Sequence, residues 1–219
     1  MPRRAEAIET SVGTAHVTVD APPRPRALLV LGHGAGGGID AADLIAARDA
    51  AVGSRIAVAR VTQPYRLAGR RAPAPAVSLD AAFADVVRAL RSRRSWSRLP
   101  VVVGGRSSGA RVACRGASGL AACGVLALAF PLHPPGRPDR SRADELLAME
   151  VPVLVLQGDR DTMGTPDELA AVGLPASIRV HRMPGANHGL AVGSRAEPVL
   201  PQLARVVAGW LESLLAAPR

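Results

Sequence analysis

The chain has 219 residues, of which 48% are hydrophobic and 2% aromatic, and we expect a single domain over residues 1–219 with a core of Ala, Val and Leu. No stretch reaches the roughly 18 consecutive apolar residues of a membrane span, and residues 1–10 lack an apolar signal region, which favours a cytoplasmic protein. The net charge of +9 comes from arginine alone, a usage typical of GC-rich bacterial genomes that does not by itself indicate a nucleic-acid partner.

Short β-type runs alternate with Ala-rich helical segments along the chain. This pattern predicts an α/β protein with a mostly parallel sheet and helices on both faces. The predicted strands are 15–19, 27–31, 56–61, 100–104, 124–130, 151–156 and 177–181. The predicted helices are 40–52, 77–93, 108–118, 143–149, 166–172 and 198–216. Two long loops, 67–75 and 131–142, are candidates for ligand binding because such sheets bind ligands at the carboxyl ends of their strands.

A glycine-rich segment follows the predicted strand 27–31, where residues 32–38 read G-H-G-A-G-G-G. Backbone N–H groups in such a loop can stabilise the negative charge that develops on a carbonyl oxygen during acyl transfer. The N–H of Ala35 is the predicted donor of this oxyanion hole, and Gly36 is the alternative. His33 adjoins the loop and either lines the substrate pocket or makes a structural hydrogen bond.

The predicted strand 100–104 leads into Gly105-Arg106-Ser107-Ser108-Gly109, a G-x-S-x-G motif placed between a strand and a helix. In that context the motif predicts a sharp turn that exposes the Ser107 hydroxyl as a nucleophile, while the glycines let strand and helix approach closely. The Ser108 N–H is the second predicted oxyanion donor. Arg106 is expected to be partly buried, so it needs an acidic partner, and it either supports the structure or contacts substrate.

A serine hydroxyl needs an imidazole to take its proton, and the imidazole needs a carboxylate to fix its tautomer. His188 lies in a loop after the predicted strand 177–181 and is the predicted base. Asp159 and Asp161 share one turn after strand 151–156, and Asp161 is favoured because it lies three residues beyond Gly158. The order Ser107, Asp161, His188 is the one used by α/β-hydrolases.

A second loop histidine, His133, follows the strand 124–130 in a segment stiffened by prolines at 131, 134 and 135. We expect it to bind substrate as part of the wall of a shallow pocket formed by residues 131–142. About 20 residues separate strand 124–130 from strand 151–156, too few for a large helical cap over the site. A shallow pocket predicts faster turnover of short acyl esters than of long ones. The two other histidines, His16 and His181, fall on predicted strands as ordinary sheet residues.

On these motifs the chain resembles the α/β-hydrolase superfamily over nearly its whole length. The segments 104–107, 130–136 and 187–190 resemble the little-characterised branch that contains the testis-expressed hydrolase-like proteins, which is itself similar to dienelactone hydrolases. The resemblance implies a serine hydrolase core without a large cap, a metal or a cofactor. Dienelactone hydrolases proper use a cysteine nucleophile, whereas this chain has Ser107, so their particular reaction is not implied.

The sequence therefore predicts a serine hydrolase that cleaves a small carboxylic ester through an acyl-enzyme, and thioesters, lactones and small amides are served by the same chemistry. A hydrolase-like binding module with little turnover is the alternative. Binding of nucleic acid through the arginines is a third reading, and it requires the basic residues to gather on one face, whereas the sequence spreads them among several helices.

Overall fold

The computed structural model describes residues 3–217, which build a central eight-stranded sheet. The strands are β1 (Arg3–Thr10), β2 (Gly13–Asp20), β3 (Ala27–Gly32), β4 (Ile56–Thr62), β5 (Val101–Arg106), β6 (Gly124–Leu128), β7 (Val153–Gly158) and β8 (Ile178–Met183). Their order across the sheet is β1-β2-β4-β3-β5-β6-β7-β8. Strand β2 is antiparallel to both of its neighbours, and every other pair is parallel. The carboxyl ends of β3 to β8 therefore all lie at the same end of the sheet.

Helices cover both faces of this sheet. They are α1 (Ala42–Gly53), α2 (Pro64–Leu67), α3 (Ala76–Arg91), α4 (Ser108–Gly116), α5 (Asp144–Leu147), α6 (Pro166–Ala171) and α7 (Leu200–Ala216). Helices α3 and α4 contribute to one hydrophobic cluster, and α1 and α7 contribute to the other. Within residues 3–217, no helix is both long enough and apolar enough to cross a membrane.

The central strands are buried on both faces, which explains their nearly continuous apolar sequences. In β3, Leu28 and Val30 enter the cluster under α3 and α4, whereas Leu29 and Leu31 enter the cluster under α1 and α7. Successive side chains of a strand point to opposite faces, so one strand supplies both cores. The aliphatic runs that mark these strands in the sequence are a direct consequence.

The predicted architecture is confirmed: the sheet is mostly parallel, helices lie on both faces, and only α5 and loops separate β6 from β7, which leaves no large cap. Two elements were not predicted. Strand β1 lies at the edge of the sheet and is mostly exposed, so it lacks an apolar pattern, although Ile8 packs against the core. Helix α2 is a single turn that begins at Pro64, too short to show helical periodicity.

Candidate active site

Ser107 lies at the sharp turn between β5 and α4. Its backbone has φ 52° and ψ −112°, a left-handed conformation that is strained for a residue with a side chain. The turn is fixed because the Ser107 N–H donates to the carbonyl oxygen of Leu128 at 2.9 Å. The residue predicted to be the nucleophile is thus one of the strained positions of the chain, as expected for a strand–turn–helix that presents its serine at the carboxyl end of a strand.

Two glycines allow the turn to form. A Cβ atom added at Gly105 would lie 2.5 Å from the carbonyl oxygen of Gly32, and one added at Gly109 would collide with the same carbonyl group. Helix α4 therefore packs directly on the backbone of β3, next to the glycine-rich loop. This contact places the serine turn next to the predicted oxyanion loop, at the carboxyl ends of β5 and β3.

The structure brings together the three side chains predicted as nucleophile, base and acid. His188 Nε2 lies 2.9 Å from Ser107 Oγ. On the other side of the ring, His188 Nδ1 lies 2.8 Å from Asp161 Oδ2 and 3.0 Å from Oδ1. Because a carboxylate only accepts, Nδ1 carries the proton, and Nε2 is left to accept the proton of the serine hydroxyl.

Asp161 is deeply buried, with 2% of its surface exposed, and all of its neighbours donate to it. The N–H of Met163 donates to Oδ1 at 2.8 Å, and Nε2 of Gln157 donates to Oδ2 at 2.8 Å. The same Gln157 Nε2 also faces the carbonyl oxygens of Phe130 and Gly164. These donors stabilise the charged carboxylate in a buried position.

Gln157 was not identified from the sequence. It follows the aliphatic run of β7 and is fully buried. A polar residue at the end of such a run was the signal in the sequence that its side chain would form hydrogen bonds with neighbouring groups. The other carboxylate of the same turn, Asp159, is placed differently: its Oδ1 is buried and has no hydrogen-bond partner within the described residues. Between the two candidates, the structure pairs Asp161 with His188.

The glycine-rich loop is held by the side chains of His33 and Tyr65. His33 Nδ1 lies 2.7 Å from the carbonyl oxygen of Gly34, and Nε2 accepts the N–H of Gln63 at 3.2 Å. The hydroxyl of Tyr65 donates to the carbonyl oxygen of Ala35 at 2.8 Å. Both ring nitrogens of His33 are thus engaged inside the protein, and its position favours the structural hydrogen bond over direct contact with substrate.

His33 is 3% exposed, and burial lowers the pKa of its imidazole below the ordinary value of 6.5, with a smaller contribution from the charge of Arg66. The ring is therefore neutral near pH 7, with its proton on Nδ1 facing Gly34. Because N–H and C=O of a trans peptide point in opposite directions, fixing the Gly34 carbonyl also fixes the direction of the Ala35 N–H.

The two backbone groups predicted as oxyanion donors are both free to donate. Ser108 is the first residue of α4, so its N–H lies outside the hydrogen-bond pattern of the helix. Within residues 3–217, neither this N–H nor that of Ala35 has an acceptor. Gly36, the alternative donor, lies next in the same loop.

His133 is placed in the folded interior of the loop 131–142. Its Nδ1 lies 2.9 Å from the carbonyl oxygen of Pro134, and its Nε2 lies 3.2 Å from Glu168 Oε1. The loop is further closed by Arg142, whose N–H donates to Leu132 O at 2.7 Å. Both ring nitrogens are occupied by these internal contacts, so the position of His133 favours a structural role.

A cavity of about 430 Å³ lies beside the loop 67–75. It is lined by the turn at 12–14 and by residues of α2, the following loop and the start of α3, between 63 and 79. A small cavity of about 10 Å³ shares the lining residues Gln63, Tyr65 and Leu79 with it and also touches His33 and Ser108. The cavity of about 430 Å³ is thus lined by residues 63–79 and the turn at 12–14, and a pocket wall formed by residues 131–142 stays a prediction.

The remaining histidines lie away from these groups, on strands β2 (His16) and β8 (His181), as predicted. In the part of the chain that the structure describes, no group of three or more His, Cys, Asp or Glu side chains is placed to hold a metal ion.

Comparison with known proteins agrees with this fold. A family model described as an alpha/beta hydrolase domain matches residues 25–211. Among solved structures, the chain is similar to a serine hydrolase without a lid from Xanthomonas campestris, with 20% identity, a TM-score of 0.76, and coverage of 100% of this chain and 99% of that one. The fold of this protein is therefore shared with lidless hydrolases.

Two further structures extend the comparison. Est1E from Butyrivibrio proteoclasticus, solved with ferulic acid bound, is 14% identical with a TM-score of 0.77, covering 97% of this chain and 100% of its own. A dienelactone hydrolase from Anabaena variabilis is 18% identical with a TM-score of 0.73, and the match covers 97% of this chain and 99% of that one. The predicted dienelactone-hydrolase-like fold is confirmed, and the resemblance to the testis-expressed branch stays a prediction.

Proposed function

Because this chain belongs to the alpha/beta hydrolase domain family, we propose that it is a serine esterase in which Ser107, His188 and Asp161 form the catalytic triad. The observation that carries the proposal is the continuous chain of short contacts from Asp161 Oδ2 through both nitrogens of His188 to Ser107 Oγ. A domain kept only for binding has no need to maintain a strained serine in this arrangement, which favours turnover over the binding-module alternative.

The reaction begins when His188 Nε2 takes the proton of Ser107 Oγ and the oxygen attacks the ester carbonyl carbon. The carbonyl oxygen becomes an oxyanion, which accepts hydrogen bonds from the N–H groups of Ala35 and Ser108. Protonated His188, stabilised by Asp161, then gives its proton to the leaving alcohol, and an acyl-enzyme remains on Ser107.

Deacylation repeats these steps with water. His188 Nε2 takes a proton from a water molecule as its oxygen attacks the acyl carbon, and the same two N–H groups hold the second oxyanion. His188 then donates this proton to Ser107 Oγ as the bond between Oγ and the acyl carbon breaks. The carboxylic acid is released, and Ser107 and His188 return to their starting protonation. Besides the ester and water, this cycle uses the side chains of Ser107, His188 and Asp161 and the two backbone N–H groups.

The substrate group next to the ester carbonyl is expected to occupy the cavity of about 430 Å³. Most of its wall is apolar, and its volume falls in the range of small-molecule sites. We expect p-nitrophenyl acetate and butyrate to be cleaved with a higher kcat/KM than octanoate and palmitate. Ala74→Trp, which fills the cavity, should lower kcat/KM for butyrate more than for acetate, whereas Ala170→Trp on the exposed side of α6 should affect neither.

The proposal is tested with Ser107→Ala and His188→Ala. Each variant should lower the rate of p-nitrophenyl acetate hydrolysis by roughly 10⁴-fold or more, because the triad acts as a unit. Circular dichroism should show an unchanged fold. Hydrolysis at the wild-type rate by folded Ser107→Ala protein would show that the reaction does not pass through this serine.

A further inference from the structure

Arg106 lies directly before Ser107, and the proposed reaction does not use it. Its Nε lies 2.8 Å from Oδ2 of Asp43, which is 2% exposed and sits in the first turn of α1. The other oxygen of Asp43 accepts the N–H of Leu44 at 2.8 Å. A buried carboxylate on a helix therefore fixes the position of the guanidinium.

The ion pair also explains how Asp43 is tolerated in the interior. Burial raises the pKa of Asp43, and the charge of Arg106 opposes that increase. Removing the cation leaves an uncompensated buried carboxylate, which is strongly destabilising. The two residues are therefore one unit, and a test of Arg106 has to separate its effect on the fold from its effect on the site.

The far end of the guanidinium contacts the histidine loop. Arg106 Nη2 lies 3.4 Å from the carbonyl oxygen of His188, a long hydrogen bond. The backbone of the next residue passes beside the same nitrogen, since a Cβ added at Gly189 would lie 3.6 Å from it. Arg106 thus lies against the backbone that carries the base.

The remaining nitrogen faces the glycine-rich loop. A Cβ added at Gly34 would lie 3.2 Å from Arg106 Nη1 and 3.6 Å from Ser107 Cβ, and one added at Gly37 would lie 3.9 Å from Nη1. The loop backbone therefore passes beside the guanidinium. Gly34 is the residue whose carbonyl His33 holds, so the guanidinium lies next to the peptide that carries the Ala35 N–H.

We propose that Arg106, anchored by Asp43, is a positioning residue that sets the distances of the histidine loop and the glycine-rich loop from Ser107. This inference rests on the proposed function, because it concerns the same reaction. One planar guanidinium reaches α1, the base loop and the oxyanion loop in three different directions. A lysine ammonium is a point charge that can pair with Asp43 but cannot keep all three contacts.

The test compares Arg106→Lys with Arg115→Lys. Arg115 is the matched control because it has similar side-chain exposure, 23% against 20%, and a similar close pairing, with Asp80 at 2.7 Å, but it lies in α4 away from the loops of the site. For each variant, kcat and KM for p-nitrophenyl acetate, the melting temperature and the rate of fluorophosphonate labelling are measured. If Arg106→Lys does not fold, the double variant Asp43→Asn/Arg106→Met replaces it, since it removes both charges together.

Arg106→Lys should fold with a melting temperature close to that of Arg115→Lys and should lower kcat by about tenfold or more with KM changed by less than about twofold, because small displacements of reacting groups are costly. Fluorophosphonate labelling should slow in parallel, and Arg115→Lys should keep wild-type kcat. Wild-type kcat in folded Arg106→Lys, or in the folded double variant, would overturn the inference and reduce Arg106 to a partner of Asp43. Failure of the proposed function is a separate result, namely undiminished hydrolysis by Ser107→Ala.

Discussion

The two sides of Ser107 are held in different ways. On the side of the base, Asp161 is buried and its carboxylate oxygens accept hydrogen bonds from His188, Gln157 and the Met163 backbone N–H. On the side of the oxyanion, the proposed donors are the N–H of Ser108 at the start of α4 and the N–H of Ala35 in the glycine-rich loop, and the direction of the latter depends on the side chains of His33 and Tyr65. The first side is a closed polar network, and the second borders a cavity.

This difference indicates what each side contributes. A closed network of charged hydrogen bonds fixes the tautomer of one ring and tolerates little change, because each member leaves a buried partner unsatisfied when it is removed. The glycine-rich loop is supported in part by Tyr65, which also lines the cavity proposed to hold the substrate group. We therefore expect changes on the base side to affect kcat strongly and changes on the oxyanion side to have smaller effects that differ between substrates.

Among the groups that support Ser107 and His188, the largest effect is expected for Asp161→Asn. Asparagine can present an N–H to His188 Nδ1 and so favour the wrong tautomer, and kcat should fall by roughly 10³- to 10⁴-fold. Asp159→Asn is the matched control in the same turn, and its loss should be smaller by at least about tenfold. The reverse ranking in steady-state assays would assign the acid to position 159.

Gln157→Leu should have the next largest effect. It keeps the volume of a buried side chain but removes the donor to Asp161 Oδ2, and a hydrogen bond to a charged group contributes about 1.5–3 kcal/mol, so kcat should fall about 10- to 100-fold. The measurement is kcat for p-nitrophenyl acetate at a temperature where the variant is folded. An unchanged kcat would mean that the Met163 N–H alone positions the carboxylate.

Tyr65→Phe tests the oxyanion side and should have a smaller effect. It removes one neutral hydrogen bond, to the carbonyl oxygen of Ala35, worth about 1 kcal/mol, so kcat/KM should fall about fivefold. Because Tyr65 also lines the cavity, the loss should differ between acetate and butyrate esters. A loss as large as that of Gln157→Leu and equal for both esters would contradict the distinction between the two sides.

The smallest expected effect is on stability. Because burial lowers the pKa of His33 below 6.5, the unfolded chain binds a proton that the folded chain excludes. The free energy of unfolding should therefore decrease as the pH falls below about 6.5 and through the lower pKa of the folded state. In His33→Gln this part of the pH dependence should be missing, with His16→Gln, an exposed strand histidine, as control. Denaturant titrations at a series of pH values measure it, and equal slopes in His33→Gln and wild type would refute it.

The parts of the molecule that could be predicted from the sequence are those marked by a strong local sequence pattern. The aliphatic runs of β3 to β7 identify the buried sheet, and the motif at Ser107 together with the order of acid and histidine gives three groups that the fold brings into contact. Strand β1 was missed because an exposed edge strand is specified by its pairing with β2 rather than by its own burial.

The cavity beside the loop 67–75 was not singled out from the sequence for a similar reason. Both 67–75 and 131–142 are rich in proline, and composition does not tell which one closes on itself. The second is closed by contacts distant in sequence, such as His133 with Glu168 and the His133 N–H with Met163 O. Gln157 was missed because its three acceptors meet only in the folded chain.

The central claim is that Ser107 is the nucleophile, and covalent labelling tests it most directly. After reaction with a fluorophosphonate, mass spectrometry of the digested protein should place a single phosphonate adduct on the peptide containing Ser107. The adduct should be absent from Ser107→Ala and should form much more slowly in His188→Ala, because the base activates the hydroxyl. An adduct on another residue, or labelling that persists in Ser107→Ala, would contradict the assignment.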